Sequence, residues 1–191
     1  LGLDVGGSTT KVVAFEDGKM QESVIVKASD PLASAYAGLG RYLETSGKKL
    51  SQIDVIKATG VGASYLGGDL LDRRTIFVNE FESVGSGGIF LAGVPEAVVV
   101  SMGTGTSLVE AKGPNVRHII GSGIGGGTLL GLADRLINVS DFETVDQLSQ
   151  NGQLEKIDLT VGDLTQKEIP GLTPSTTASN FGKLVGLSEP E

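Results

Sequence analysis

The first thirteen residues of the chain, LGLDVGGSTTKVV, alternate apolar and polar positions on either side of Gly6 and Gly7. Alternation with a period of two is typical of β-strands, because successive side chains point to opposite faces of a sheet. The segment therefore predicts a β-hairpin that turns at the two glycines. A turn signal at 16–18 and renewed alternation at 22–26 predict a third strand.

Apolar residues then recur three, four and seven positions apart over 32–43, which is the spacing of one face of an α-helix. Asp30 and Pro31 precede this run, and an acidic cap followed by proline is a typical helix start. A further apolar run at 53–59 predicts a strand that leads into Gly60.

The next apolar run, at 75–78, predicts another strand, and Asn79 followed three residues later by Glu82 resembles a helix cap. Three glycines inside that helix each cost it about 1 kcal/mol relative to alanine, so their presence predicts tight packing or a nearby substrate. The order β-β-β-α-β-α-β-α predicts one α/β lobe, residues 1–93, with helices covering a mixed sheet.

The opening pattern of strand and glycine turn then recurs. Residues 97–101, AVVVS, predict a strand that bends at 103–105, and two more strands are predicted at 106–110 and 117–120. This internal repeat predicts a second lobe, residues 94–191.

A glycine loop at 121–127 leads into a second amphipathic helix, and Ser140 with Glu143 predicts the capped start of a shorter one. The pattern weakens after residue 151. We therefore expect the second lobe to be incomplete, with an open sheet edge or an apolar surface.

Composition and charge exclude several classes of function. The 191 residues include 29 glycines, about twice the ordinary share, and their clustering indicates close backbone approaches rather than a flexible linker. A net charge of -8 disfavours nucleic acid and anionic membranes as partners. The absence of cysteine and the single histidine exclude disulfides, thiol chemistry and multi-histidine metal sites. With no signal sequence and no apolar run of roughly 18 residues, we expect a cytoplasmic protein.

The first glycine turn has the composition of a phosphate-binding site. Glycine permits positive φ angles and close backbone approach, which together turn successive N–H groups toward an anion. Ser8, Thr9 and Lys11 add hydroxyl groups and a positive charge. Asp4 alone would repel a phosphate, so its presence predicts a bridging Mg²⁺ with its own waters. The alternative is an ordinary glycine hairpin with an exposed aspartate.

Two further glycine loops, at 103–105 and 121–127, strengthen the phosphate interpretation. The first two turns each follow a strand that opens a lobe, so we expect them to face one another across a cleft that holds a polyphosphate. The third loop enters a helix, whose N-terminal end favours an anion.

Four motifs together resemble those of a known family. LDVGGSTTK, VVVSMGTGTS, GSGIGGGTLLGL and TASNFGK are similar, in this order, to those of the type II (eukaryotic-like) pantothenate kinases, members of the actin, hexokinase and Hsp70 ATPase superfamily. The resemblance implies a two-lobed α/β fold of the ribonuclease H-like, actin-like ATPase type, with a mixed sheet in each lobe and the second lobe ending before the family's C-terminal adenosine motif. It also implies ATP-dependent phosphorylation of the 4′-hydroxyl of pantothenate, the first step of coenzyme A synthesis, with Mg²⁺ and usually by a homodimer.

The resemblance assigns roles to named residues. Glu80, in IFVNEFES, has the place of the family's general base. Substrate contacts are implied for Thr104, for Ser107, and for one of Arg117 and His118. Nucleotide and phosphate contacts are implied for Asp4, which is also the metal ligand, and for Gly6, Gly7, Ser8, Thr9, Lys11, Gly103, Thr104, Gly105, Gly125, Gly126, Gly127, Thr128 and Phe142.

The reaction that follows from these roles is direct in-line transfer. Glu80 accepts the proton of the substrate hydroxyl, while Lys11 and the N–H groups of the turns stabilise charge on the phosphoryl group. On the residues alone, Glu80 is equally a carboxylate favoured at a helix start by the dipole, and Glu82 is the rival candidate.

One position departs from the family's pattern. The family's arginine that holds the substrate carboxylate corresponds by spacing to His118, with Arg117 one residue earlier. Neighbours on a strand point to opposite faces, so only one of the two lines the pocket. A histidine contact would weaken as the pH rises.

Other classes of function stay open at this point. One is an ATPase whose lobe closure activates a partner, as in the activators of radical dehydratases, which share a similar opening motif. The absence of cysteine counts against a version with an iron–sulfur cluster. A regulatory or binding module without catalysis, or a kinase of another small hydroxy acid, is the remaining alternative.

Overall fold

The structure, a computed structural model, describes residues 1–27 and 30–184. The chain divides into two compact units, Leu1–Gly126 (unit 1) and Gly127–Glu191 (unit 2). The predicted lobe boundary at residue 93 falls within unit 1 and stays a prediction. No helix among the described residues is long and apolar enough to cross a membrane.

The described part of unit 1 contains two complete α-helices and three sheets, of five, three and two strands. Its helices are α1 (Pro31–Ser46) and α2 (Glu80–Ala92). Its strands are β1 (Gly2–Val5), β2 (Thr9–Val13), β3 (Phe15–Glu16), β4 (Lys19–Met20), β5 (Val24–Lys27), β6 (Ile56–Thr59), β7 (Thr75–Phe77), β8 (Glu96–Met102), β9 (Thr106–Lys112) and β10 (Asn115–Ser122). The predicted order is confirmed in part: the short strands β3 and β4 were not predicted, and the helix expected after β6 is only a 3₁₀ turn, Val61–Tyr65.

The first sheet is mixed, as predicted, with strand order β5-β2-β1-β6-β7. β2 is antiparallel to β1 and β5, whereas β1, β6 and β7 run parallel. Leu3 of β1 pairs with Val12 and Ala58, and all three are buried with Ala35 and Leu39 of α1 in one core. Because β1, β6 and β7 are parallel, their carboxyl ends meet at one edge, where ligands bind in open α/β sheets.

Helix α1 begins and ends at the residues that its sequence indicates. Asp30 is the N-cap, with Oδ1 accepting a hydrogen bond from the Ala33 N–H at 2.7 Å, and Pro31 follows it. The helix ends at Gly47, whose φ of 67° is the left-handed conformation that favours glycine.

The second sheet is antiparallel, with β9 between β8 and β10, and α2 packs on one of its faces. A Cβ on Gly85 would lie 2.7 Å from Val116 Cγ1, and one on Gly88 would lie 2.5 Å from Val99 Cγ2. A Cβ on Gly87 would have no atom within 4 Å. The tight packing that the helix glycines predicted is therefore confirmed at 85 and 88 and not at 87.

Replacing Gly88 by alanine is expected to lower the free energy of unfolding by about 1–3 kcal/mol, because the new methyl group overlaps a β-branched side chain that has few rotamers. Gly87→Ala is the matched control, since it improves helix propensity by about 1 kcal/mol without a new contact. Urea denaturation of both variants measures the difference. Equal stability changes in the two variants would contradict the packing argument.

The face of the second sheet opposite α2 carries an exposed apolar patch beside two ion pairs. Val98 and Val100 of β8 are 56% and 49% exposed, and Met102 is 78% exposed. On β10, Ile120 is 59% exposed. That this patch marks an incomplete second lobe stays a prediction.

Unit 2 carries most of the helix α3 (Gly126–Ile137) and several shorter elements, namely α4 (Phe142–Ser149), β11 (Leu159–Thr160), α5 (Val161–Leu164) and β12 (Thr177–Ser179). The two predicted helices are confirmed, but Ser140 as the cap of the second is wrong. The helix begins at Phe142, so Asp141 has the N-cap position, and its Oδ1 accepts a hydrogen bond from the Thr144 N–H at 2.8 Å.

The weakly patterned segment after residue 151 is organised by two carboxylates. Asp158 is buried and accepts hydrogen bonds from Thr177 Oγ1 at 3.1 Å and from the Phe181 N–H at 2.9 Å. Lys183, together with Thr160, lowers the pKa of Asp163 to about 2. Polar contacts take the place of an apolar core here, which explains why hydrophobic periodicity missed these elements.

Candidate active site

The candidate residues of unit 1 collect at the carboxyl edge of the first sheet. Asp4 precedes the last residue of β1, Thr59 ends β6, and Glu80 begins α2 shortly after β7. Asp4 and Thr59 are partners across the parallel pair β1–β6. Three parallel strands thus present their carboxyl ends and the loops after them on one side.

Asp4 is held between a lysine and a glycine. Lys11 lies opposite it on β2, and Lys11 Nζ is 3.1 Å from Asp4 Oδ2. On the other side, a Cβ on Gly60 would lie 2.5 Å from Asp4 Oδ1, and Gly60 has a φ of 90°. Because the ion pair is largely exposed, it contributes little stability, and its main effect is on the position of the carboxylate.

The first glycine turn is formed as predicted, and of the two expected reasons for glycine only close backbone approach applies. The Gly6 N–H donates to the Thr9 carbonyl at 3.0 Å, and a Cβ on Gly6 would lie 2.8 Å from that oxygen. Neither Gly6 nor Gly7 has a positive φ. The expectation of left-handed glycines here is wrong, since close backbone approach is what requires glycine. Gly7 and Ser8 are exposed at the tip of the turn.

The second glycine turn lies against the first. A Cβ on Gly7 would lie 3.7 Å from Thr104 Oγ1. The two turns are therefore close together, as predicted, and the cleft expected between them stays a prediction.

The third glycine loop packs on the second, backbone against backbone. The Gly126 N–H donates to the Gly103 carbonyl at 2.8 Å. A Cβ on Gly125 would lie 2.7 Å from Gly105 Cα and 2.8 Å from the Thr104 carbonyl oxygen. The loop is shorter than predicted, because β10 extends to Ser122.

Glu80 is the exposed first residue of α2, after the N-cap Asn79. The next residue, Phe81, stacks on His118 of β10 with ring centroids 4.2 Å apart. This contact places His118 beneath the first turn of α2. Glu82 is also exposed on that turn.

The structure separates the two candidates for the substrate acid. His118 is opposite the buried Val109 on β9, on the sheet face that α2 covers, and Ser107 lies two residues from Val109 on the same face. A β-bulge follows His118. Arg117 faces the other way and forms an ion pair with Glu110, with Nη2 2.8 Å from Oε2. Arg117 is thus not brought together with the other candidates.

The remaining candidates belong to unit 2. Gly127 and Thr128 lie in the first turn of α3, and Phe142 is the exposed first residue of α4. Their roles at a nucleotide stay predictions.

The residues at the sheet edge fit a magnesium ion of the kind that kinases use. No group of three or more His, Cys, Asp or Glu side chains within 1–27 and 30–184 is arranged to hold a metal. Mg²⁺ needs only one or two carboxylates when phosphates and waters complete its shell. Asp4 offers one carboxylate, and Thr59 Oγ1 beside it is buried without a hydrogen-bond partner.

Sequence reasoning missed Thr59 and Gly60 as members of the site. The signal available was a glycine directly after a buried strand, which indicates a special backbone conformation or close approach. What the sequence does not reveal is that β6 lies beside β1, and this pairing is what brings Gly60 to Asp4.

Comparison with known proteins is consistent with these features. The Fumble family profile matches residues 94–190. A type II pantothenate kinase from Oceanobacillus iheyensis is 33% identical over 98% of this chain and 67% of its own length. One from Staphylococcus haemolyticus is 30% identical over 97% of this chain and 67% of its own length.

Solved structures share the fold at lower identity. The activator of 2-hydroxyisocaproyl-CoA dehydratase from Clostridium difficile has a TM-score of 0.61 at 17% identity, over 84% of this chain and 58% of its own. Component A of (R)-2-hydroxyglutaryl-CoA dehydratase from Acidaminococcus fermentans has a TM-score of 0.60 at 18% identity, over 88% of this chain and 60% of its own.

These comparisons confirm the predicted α/β fold, which both solved structures share with this chain. The chain spans about two thirds of the length of the curated relatives, 67% of the first. The identity over nearly the whole chain and the Fumble profile decide the family: the chain belongs to the type II pantothenate kinases.

Proposed function

We propose that this protein transfers the γ-phosphoryl group of ATP to the 4′-hydroxyl of pantothenate. The observation that carries the proposal is the meeting of two glycine turns, Gly7 against Thr104, beside a carboxylate at a sheet edge that also presents Glu80. A polyphosphate needs N–H donors and a cation from one side, and an acceptor hydroxyl needs a base from the other. Family membership supplies the identity of the acceptor.

Different residues of the chain have different roles in the proposed phosphoryl transfer. The Gly6 N–H is already bonded to Thr9, so the phosphate donors of the first turn are Gly7 and Ser8. Lys11 stabilises negative charge on the phosphoryl group, and Asp4 holds the cation. When bound, Mg²⁺ would neutralise negative charge on the β- and γ-phosphate oxygens of ATP. Glu80 accepts the proton of the substrate hydroxyl, and the product leaves as the phosphate ester.

We assign the substrate carboxylate to His118 rather than Arg117. His118 shares a face with Ser107 beneath the start of α2, whereas Arg117 is paired with Glu110 on the other face. Stacking on Phe81 fixes the imidazole plane. Histidine in place of the family's arginine offers one donor at a time instead of a fork.

His118→Ala is expected to raise the KM for pantothenate about tenfold, because the substrate carboxylate loses a hydrogen-bond donor. His118→Arg keeps a donor at this position and should recover part of the loss. Steady-state kinetics at saturating ATP measures the KM of both variants. A KM that His118→Ala leaves unchanged would remove His118 from the substrate site, and Arg117→Ala serves as the matched control.

The activator interpretation is tested by the same assay that tests the kinase. An activator hydrolyses ATP without consuming pantothenate, whereas a kinase forms 4′-phosphopantothenate in step with ADP. We expect ATP turnover to depend on pantothenate, with equal amounts of both products. ATP hydrolysis at the same rate with and without pantothenate would favour the activator, and no ATP hydrolysis at all would favour a binding module. ATP hydrolysis that depends on a different hydroxy acid would identify that acid as the substrate.

Three finer expectations belong to the same proposal. They are the Mg²⁺ cofactor and a homodimer, which the resemblance implies, and a cytoplasmic location, which we expect from the sequence. The exposed apolar face of β8 and β10 supports association with further protein surface, and size-exclusion chromatography with light scattering tests the dimer.

A further inference from the structure

Thr59 carries a polar atom that the structure leaves without a partner. Its Oγ1 is buried, and no donor or acceptor among the described residues satisfies it. A buried hydroxyl without a hydrogen bond costs free energy. Such an atom at the carboxyl end of a parallel strand, beside other site residues, points to a ligand that supplies the missing bond.

The neighbours of Thr59 show which ligand would come close. Thr59 is the partner of Asp4 across β1 and β6. The next residue, Gly60, has a φ of 90° and a ψ of 160°, a conformation open essentially to glycine alone. A Cβ at this residue would lie 2.5 Å from both Asp4 Oδ1 and the Val5 carbonyl oxygen.

The backbone at the end of β6 is therefore shaped to receive the Asp4 carboxylate. Lys11 holds the second oxygen of that carboxylate. Asp4 is thus held in position from two directions, whereas an ordinary surface aspartate is free to change its rotamer. A fixed carboxylate beside an unpartnered hydroxyl has the donor set of a hydrated hard cation.

We infer that Thr59 is the second protein group of the Asp4 cation site. Mg²⁺ usually keeps several of its waters, and each bound water has protons that need acceptors. Thr59 Oγ1 accepts one of them, while Asp4 carries the charge. The inference rests on the proposed function only in taking the cation to arrive with a nucleotide.

Removing the hydroxyl should have opposite effects on the empty and the loaded protein. Without ligand, Thr59→Val replaces an unsatisfied hydroxyl with a methyl group of the same shape, so the melting temperature should stay the same or rise. With cation and nucleotide, the same variant lacks an acceptor, so the gain in melting temperature on loading should shrink. A hydroxyl that only supports the fold predicts a lower melting temperature in both states.

The direct measurement is Mn²⁺ binding followed by electron paramagnetic resonance, on the full chain with a non-hydrolysable ATP analogue. Thr59→Val is expected to weaken Mn²⁺ binding about tenfold, and Thr59→Ser, which keeps a hydroxyl, should recover most of the loss. Analogue affinity in excess EDTA should not change. Thr45→Val makes the same replacement on the exposed surface of α1 and should leave Mn²⁺ binding unchanged.

Several outcomes would overturn the inference. Mn²⁺ affinity of Thr59→Val within twofold of the wild type is one, and wild-type protein that binds no Mn²⁺ with the analogue is another. If the valine variant fails to fold, equal Mn²⁺ affinities in Thr59→Ala and Thr59→Ser have the same meaning. None of these measurements uses pantothenate, so a protein that binds Mn²⁺ as expected but does not phosphorylate pantothenate contradicts the proposed function alone.

Discussion

Replacing Glu80 by glutamine is expected to lower kcat about a hundredfold or more, while the KM for ATP changes no more than a few-fold. Glutamine keeps the size of the side chain and removes only the base. Glu80 is exposed at the first position of α2, next to Phe81 and its stacking partner His118. Because this turn of helix follows β7, Glu80 lies at the carboxyl edge of the first sheet, where Asp4 and the first glycine turn also lie.

Glu82→Gln is the matched control, since Glu82 is exposed on the same helical turn and shares the favourable position near the helix N-terminus. Two positions along a helix, its side chain points about 200° away around the axis, so its loss should change kcat less than threefold. Single-turnover measurements separate the chemical step from product release. Near wild-type turnover of the Glu80 variant, or a larger loss in the Glu82 variant, would exclude Glu80 as the base.

Most elements of unit 1 could be predicted because each has a recognisable signal in its own stretch of sequence. In α1 the capping aspartate and the proline act as predicted. Of the predicted apolar stripe, Ala35 and Leu39 are buried, whereas Leu32 and Tyr36 are exposed. Asn79 caps α2, accepting hydrogen bonds from the N–H groups of Phe81 and Glu82. In unit 2 the carboxylates Asp158 and Asp163 replace apolar packing, and a hydrophobic pattern cannot report such contacts.

The site was predictable in part, since its glycines mark places where backbones approach. That argument identified the first two turns, and at Gly6 the structure has the expected close backbone approach but not the expected positive φ. The alternation rule required Arg117 and His118 to face opposite ways. Which of them faces α2 depends on the pairing of β10 with β9 and on the bulge after His118. The sequence of β10 alone predicts neither the pairing nor the bulge.

Gly125→Ala is expected to lower kcat/KM for ATP about a hundredfold. The added Cβ would lie 2.7 Å from Gly105 Cα and 2.8 Å from the Thr104 carbonyl oxygen. Both are backbone atoms, so no rotamer change relieves the overlap, and the second glycine turn must move. Because Thr104 adjoins Gly7, that movement opens the two turns that we propose hold the phosphates. A misplacement of about 1 Å in a catalytic site is enough for a loss of this size.

Gly123→Ala provides the comparison within the same loop, because a Cβ there would have no atom within 4 Å and its φ is not positive. It should change kcat/KM no more than a few-fold. Thermal unfolding without nucleotide distinguishes local displacement from general instability: the Gly125 variant should lose about 1–3 kcal/mol, the usual cost of overpacking, and still fold. If its kinetics and stability match those of the Gly123 variant, the second and third loops are not held together as the backbone contacts indicate, and the proposed phosphate site would lose its geometric basis.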